Sequence, residues 1–128
     1  MSAYTVQRFL SPTQLGLNAV DLDTTTSAID VEGFNQLCLQ LAIDYVAATA
    51  LTLQVQTSDK DASTWHTVVK VSGDGETVTV QTYSIAVSAA DISVTLPIPL
   101  NYKKIRLVFA GANDTSDTLT VSGILGNV

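Results

Sequence analysis

LCLQLAI (37–43) and LTLQV (51–55) are the runs whose reading decides the fold. In the first, Leu37, Leu39, Leu41 and Ile43 share one side, while Gln36, Cys38, Gln40 and Ala42 share the other. In the second, Leu51, Leu53 and Val55 alternate with Thr52, Gln54 and Gln56. Successive strand side chains point to opposite faces, so each run has one apolar face and one uncharged polar face. That is the pattern of antiparallel sheets packed on one side. WHTVVKV (65–71), TVTVQ (77–81), ISVTL (92–96), IRLVF (105–109) and LTVSGIL (119–125) alternate or run apolar over similar lengths. Abundant Val, Ile and Thr suit pleated, half-buried surfaces. No capped helical pattern of ten residues occurs, and SAAD (88–91) offers at most a short turn.

The breaks between these runs have their own chemistry. Gly73-Asp74-Gly75 supplies the positive φ of a tight hairpin between WHTVVKV and TVTVQ. TSDKDAST (57–64) is a polar loop leading to Trp65. Pro97 and Pro99 are expected to close the strand at Leu96, because proline cannot donate to a ladder. AGANDTSD (110–117) is a Gly/Asn/Asp turn, and its Asn113-Asp114-Thr115 reads as turn chemistry rather than as a glycosylation site. About eight short strands at close intervals point to a sandwich or small barrel. The expected fold is all-β: a single-domain, jelly-roll-like antiparallel β-sandwich over residues 27–128, with residues 1–26 as an extended N-terminal arm or first strand. Its core would hold positions 37, 39, 41, 53, 55, 69, 71, 78, 80, 94, 105, 107, 109 and 121, with Trp65 at the edge.

At 128 residues the chain suffices for one core. Its net charge of −6, with six basic residues, opposes nucleic-acid binding, which draws affinity from neutralised phosphates. Lys103, Lys104 and Arg106 form the sole basic cluster and read as a solvated face. Apolar runs are strand-sized, far below the roughly 20 residues of a membrane-spanning helix. The first residues, MSAYTVQRFLSPTQ, lack the features of a signal peptide, so synthesis and initial folding in a cytoplasm are expected. Cys38, the lone cysteine, has no partner for an internal disulfide and no adjacent cation to activate it.

Candidate chemical sites are few. Asp59, Asp61 and Ser63 alternate like the first ligands of a calcium loop, but Thr64 and Lys70 stand where that loop needs glycine and glutamate. The lone His66 has no serine or thiol placed with an orienting carboxylate. Glycoside hydrolysis would call on Glu32 or Glu76, both beside glycines in expected turns. Trp65 and Tyr83 are the aromatic residues a sugar-binding face would use, although packing claims most of the eight aromatics. No catalytic residue, metal or cofactor is expected.

LTLQVQTSDKDASTWHTV (51–68), a strand entering a Ser/Asp turn before a strand-opening tryptophan, resembles small β-sandwich structural proteins of tailed-bacteriophage virions. IRLVFAGANDTSDTLTVSG (105–123) resembles their closing hairpin. These stretches cover about a third of the chain. Asp61-Ala62-Ser63 departs from the glycine that often follows the turn aspartate. Within that group the chain is most similar to a capsid decoration, or cement, protein. The resemblance implies a place on the outer capsid surface of the virion, with the major capsid protein as partner and self-association as a homotrimer or another closed ring. A tail-associated, host-surface or carbohydrate-binding module and a head–tail joining protein are the alternatives.

The N-terminal stretch holds Tyr4, Val6, Phe9 and Leu10 at no regular period. Each large apolar side chain contributes roughly 1.5–3 kcal/mol when fully buried. These four are therefore the expected protein-interface residues, on an arm that lies against a neighbouring subunit or, alternatively, forms a strand of its own sandwich.

Overall fold

A computed structural model of the chain describes residues 19–58, 63–73 and 77–127, and the backbone of residues 7–9. The described residues form thirteen strand segments and no helix. In the first sheet, β1 (Gln7–Phe9) and β2 (Val20–Asp21) lie end to end along β13 (Thr118–Gly126). β13 in turn pairs β5 (Gln36–Asp44), and β5 pairs β11 (Ile92–Pro99). In the second, β3 (Thr24–Thr25) and β4 (Ile29–Asp30) lie along β12 (Lys104–Ala112). β12 pairs β6 (Ala50–Ser58), whose far edge carries β7 (His66–Thr67) and then β10 (Thr82–Ala86). Every pairing is antiparallel.

Segments sharing one edge count as one interrupted strand, which leaves eight positions in these two sheets. Their order is 1-8-3-6 in one sheet and 2-7-4-5 in the other. That is the jelly-roll order, in which every consecutive pair of positions except 4 and 5 crosses between sheets. The expected jelly-roll sandwich is present.

Alternation sets the core. Leu37, Leu39, Leu41 and Ile43 of β5 and Leu51, Leu53 and Val55 of β6 are buried, as are Ile105, Leu107 and Phe109 of β12. Register places like beside like: Val121 opposite Leu41, and Leu107 opposite Val55. Leu22, between β2 and β3, is fully buried, so the segment before residue 26 contributes to this core. Val94 is half-buried against it.

Three expectations are corrected. Val69, Val71, Val78 and Val80 are not core residues. They are 42–59% exposed, on a separate two-stranded ribbon of β8 (Val69–Val71) and β9 (Val78–Val80). Pro97 and Pro99 do not end their strand. β11 is an edge strand, where every second N–H points to solvent, and a proline in that slot breaks no ladder bond. Trp65 is not at the core edge; the Arg106 guanidinium lies 4.6 Å from its ring centroid, and Arg106 alternates outward from buried Ile105 and Leu107. Cation–π contact thus places the indole over the outer face of the second sheet.

Candidate functional site

The outer faces of both sheets carry amides, hydroxyls and few charges. On the second sheet, Gln54 Nε2 donates to Thr82 Oγ1 at 3.4 Å and Gln56 Nε2 to Thr67 Oγ1 at 3.3 Å. Arg106 Nε donates to Gln56 Oε1 at 2.6 Å. On the first sheet, Ser122 Oγ donates to Gln40 Oε1 at 3.3 Å, and half-buried Cys38 lies with its Sγ 3.8 Å from Gln36 Oε1. Interface centres are depleted of charge in the same way. The two lysines of the basic cluster are paired: Lys103 with Glu32 at 4.0 Å and Lys104 with Asp30 at 3.8 Å. The basic cluster is therefore a half-neutralised surface rather than an anion site.

The ribbon interrupts the edge strand at position 5. His66 faces Thr57, Thr67 faces Gln56, and Val68 N donates to Val55 O. The same edge then resumes with Thr82 opposite Gln54. Residues 69–81 are thus an insertion between neighbouring rungs, closed at its base by Gln81 N donating to Val68 O at 3.1 Å. Val69 pairs with Val80 and Val71 with Val78, so all four valines share one face, while Lys70 and Thr79 share the other. An apolar face open to water on a two-stranded ribbon is the feature most in need of a partner, because such a ribbon is marginal by itself.

Titratable groups are used mainly to hold loops. Asp117, buried, accepts N–H bonds from Val46, Ala47, Ala48 and Thr115 at 2.5–3.1 Å and so pins the β12–β13 turn to the β5–β6 turn. Burial acts to raise its pKa, but the donors of Val46, Ala48, Thr115 and Ala47 outweigh it and hold the carboxyl well below the usual range. Asp21, Asp23 and Asp114 bring one carboxylate oxygen each within 4.8 Å of one another. Burial, with the neighbouring Asp23 and Asp21 charges, pushes the Asp114 carboxyl up. Calcium takes six to eight oxygens; here Asp21 Oδ1 accepts from Asp23 N within its own turn, and Asp23 Oδ1 accepts from Gly111 N of β12. The cluster closes a turn.

The residues singled out for chemistry are not brought together. Asp59, Asp61 and Glu76 lie outside the described residues. His66 is exposed on β7. Glu32 borders a shallow cleft of about 400 Å³ with Thr57, Asn101 and Lys103. Tyr83 is half-buried at a smaller cleft between the sheets, with its pKa raised by burial and then by Tyr102. Of the expected interface residues, Tyr4, Val6 and Leu10 lie outside the described residues. Phe9 is described by its backbone alone, which pairs with Gly123 in β1, the first-strand alternative over these three residues. No helix among the described residues is long and apolar enough to cross a membrane.

The fold has a solved counterpart. The crystal structure of the SPBc2 prophage-derived protein YomS superposes with a TM-score of 0.51 over 97% of this chain and 93% of that one, at 14% identity. At that identity the likeness shows a shared fold. No protein-family model matches the chain, and no curated protein matches it.

Two features escaped the sequence reading. The Asp117 nest had a faint signal, an aspartate ending a Gly/Asn/Asp turn just before an apolar strand. The exposed ribbon had a better one: VKV and VTV flank a glycine turn and are far shorter than the nine-residue strands of the sandwich.

Proposed function

We propose that this chain is a structural protein of a tailed-bacteriophage virion, a decoration protein on the outer capsid surface that bridges major capsid subunits. The observation that carries the reading is a jelly roll whose outer faces are broad and charge-poor, and whose buried carboxylate is spent on joining loops. Such a body is suited to burying surface against protein. The prophage origin of a protein with the same fold and nearly the same extent supports the phage setting. In this reading the chain is not an enzyme, needs no cofactor, is made in the host cytoplasm and contacts neither nucleic acid nor membrane. A ligand of the assembled shell favours the shell over its dissociated state by mass action, and a lasting contact takes on the order of 800 Å² per partner. Tyr4, Val6, Phe9 and Leu10 are proposed to contribute to that contact.

Quantitative mass spectrometry of purified particles tests the reading. The chain is expected in stoichiometric ratio to the coat protein, and shells stripped of it are expected to melt earlier and to recover when it is added back. Its absence from particles would overturn the proposal. Sugar binding finds less support, because Trp65 carries a guanidinium over its ring and Tyr83 is half-buried.

A further inference from the structure

The four valines of the β8–β9 ribbon have no cover within the described chain. Apart from them, Val46 is the one well-exposed large hydrophobic residue among the described residues, isolated in the β5–β6 turn. The only extended apolar face among the described residues that could complement the ribbon is therefore the same ribbon on another copy. We propose that the β8–β9 ribbons of three copies close into a six-stranded antiparallel barrel, valines inward, with β9 of each copy pairing β8 of the next.

Topology permits closure. Within one ribbon β8 and β9 run antiparallel, so repeating the pair around a three-fold axis continues the alternation with no parallel seam. The inward face carries no charge among its described residues. Lys70 lies on the opposite face, which a barrel turns to solvent, so a chain of net charge −6 can associate there without crowding charge at the axis.

Area and edges choose the number. The valine face exposes on the order of 300 Å², against the ~800 Å² per partner of a lasting two-body contact. Two ribbons stacked face to face fall short and leave every outer strand edge unpaired. Three in a ring add a backbone ladder at each seam and abolish the edges. An interior of eight strands is just wide enough for ordinary core side chains, and the shorter valine fits the narrower barrel of six.

The test needs no viral particle, so its failure is separable from failure of the virion reading. Sedimentation equilibrium of the full chain at micromolar concentration is expected to give three times the chain mass. The V69T/V71T/V78T/V80T variant keeps β-branching while making the face polar. It is expected to weaken association at least 100-fold and sediment as a monomer, with the melting midpoint of the sandwich retained. Should that variant misfold, excision of residues 69–81 serves instead and is expected to give a monomer. A monomeric or dimeric wild type, or a trimer that survives either change, overturns the proposal.

Discussion

β6 and the β8–β9 ribbon are written in the same alphabet and end in opposite surroundings. ALTLQVQTS and VTV both alternate an aliphatic residue with threonine or glutamine, yet Leu51 and Leu53 are fully buried while Val78 is 58% exposed. What separates them is neighbours. β6 is flanked by β12 on one side and by β7 and β10 on the other, and an opposing sheet covers its apolar side. The ribbon strands have each other and no second layer. Period-2 alternation shows that a strand has an apolar face. It does not show what covers that face.

Matched substitutions sharpen the contrast, and are best made at dilutions where the chain is monomeric. Leu107→Ala, at a fully buried position, is expected to lower stability by about 2–5 kcal/mol, whereas Val71→Ala is expected to change it by less than about 0.5 kcal/mol. Urea melts of the two variants check this. Comparable losses would mean that the ribbon packs on the sandwich.

Asp117→Asn should come next in size, because it removes the charge that four N–H donors surround. The sign of the pH effect follows from the depressed folded pKa. Stabilisation by Asp117 is complete above its unfolded value of 3.8 and is lost as pH falls toward the folded one. Asp114 acts in reverse. Its raised folded pKa means that ionisation opposes folding, and that penalty lifts as pH falls through the raised value. Melting midpoints from pH 7 to pH 2 should therefore drop less steeply in Asp117→Asn than in wild type, and more steeply in Asp114→Asn.

Gly111→Ala tests a close approach within the sandwich. A Cβ there would sit 2.8 Å from the Leu22 Cβ and 3.0 Å from the Asp114 Cγ. Leu22 is fully buried and has no room to retreat, so a loss of about 1–3 kcal/mol is expected by denaturant melt. Gly73, with nothing within 4 Å of its ideal Cβ, should tolerate alanine sterically, as the exposed ribbon would lead one to expect.

Most of the sandwich was legible because alternation over nine residues leaves one face no choice but to bury. β5, β6, β12 and β13 all read true. The uncharged outer faces were legible in the same runs. Pro97 and Pro99 misled because proline reports on one N–H, and whether that N–H matters depends on the strand being at an edge. Trp65 misled because a large aromatic is as readily covered by a guanidinium as by a core. Asp117 was silent for a different reason: its donors come from residues 46–48, some 70 positions away in sequence, and no local pattern encodes that meeting. Asn113, by contrast, was read correctly as a turn residue and has the positive φ (57°) that Asn tolerates.

The smallest expected effect on stability is also the most diagnostic of how this molecule is built. Removing residues 69–81 joins Val68 directly to Thr82. Val68 lies opposite Val55 and Thr82 opposite Gln54, so the joined strand would meet β6 without skipping a rung. The side-chain alternation also survives. Val68 lies at the level of inward-facing Val55 and Thr82 beside outward-facing Gln54, which is the order two consecutive strand residues require. The excision discards no buried valine and turns an interrupted edge into a continuous one, while shortening the loop that must be closed lowers the ordering entropy slightly. The melting midpoint of the shortened chain is expected to stay within a few degrees of wild type, by circular dichroism. A large drop would show that the ribbon stabilises the sandwich itself, and would remove the distinction between a self-sufficient jelly roll and an appendage made for contact.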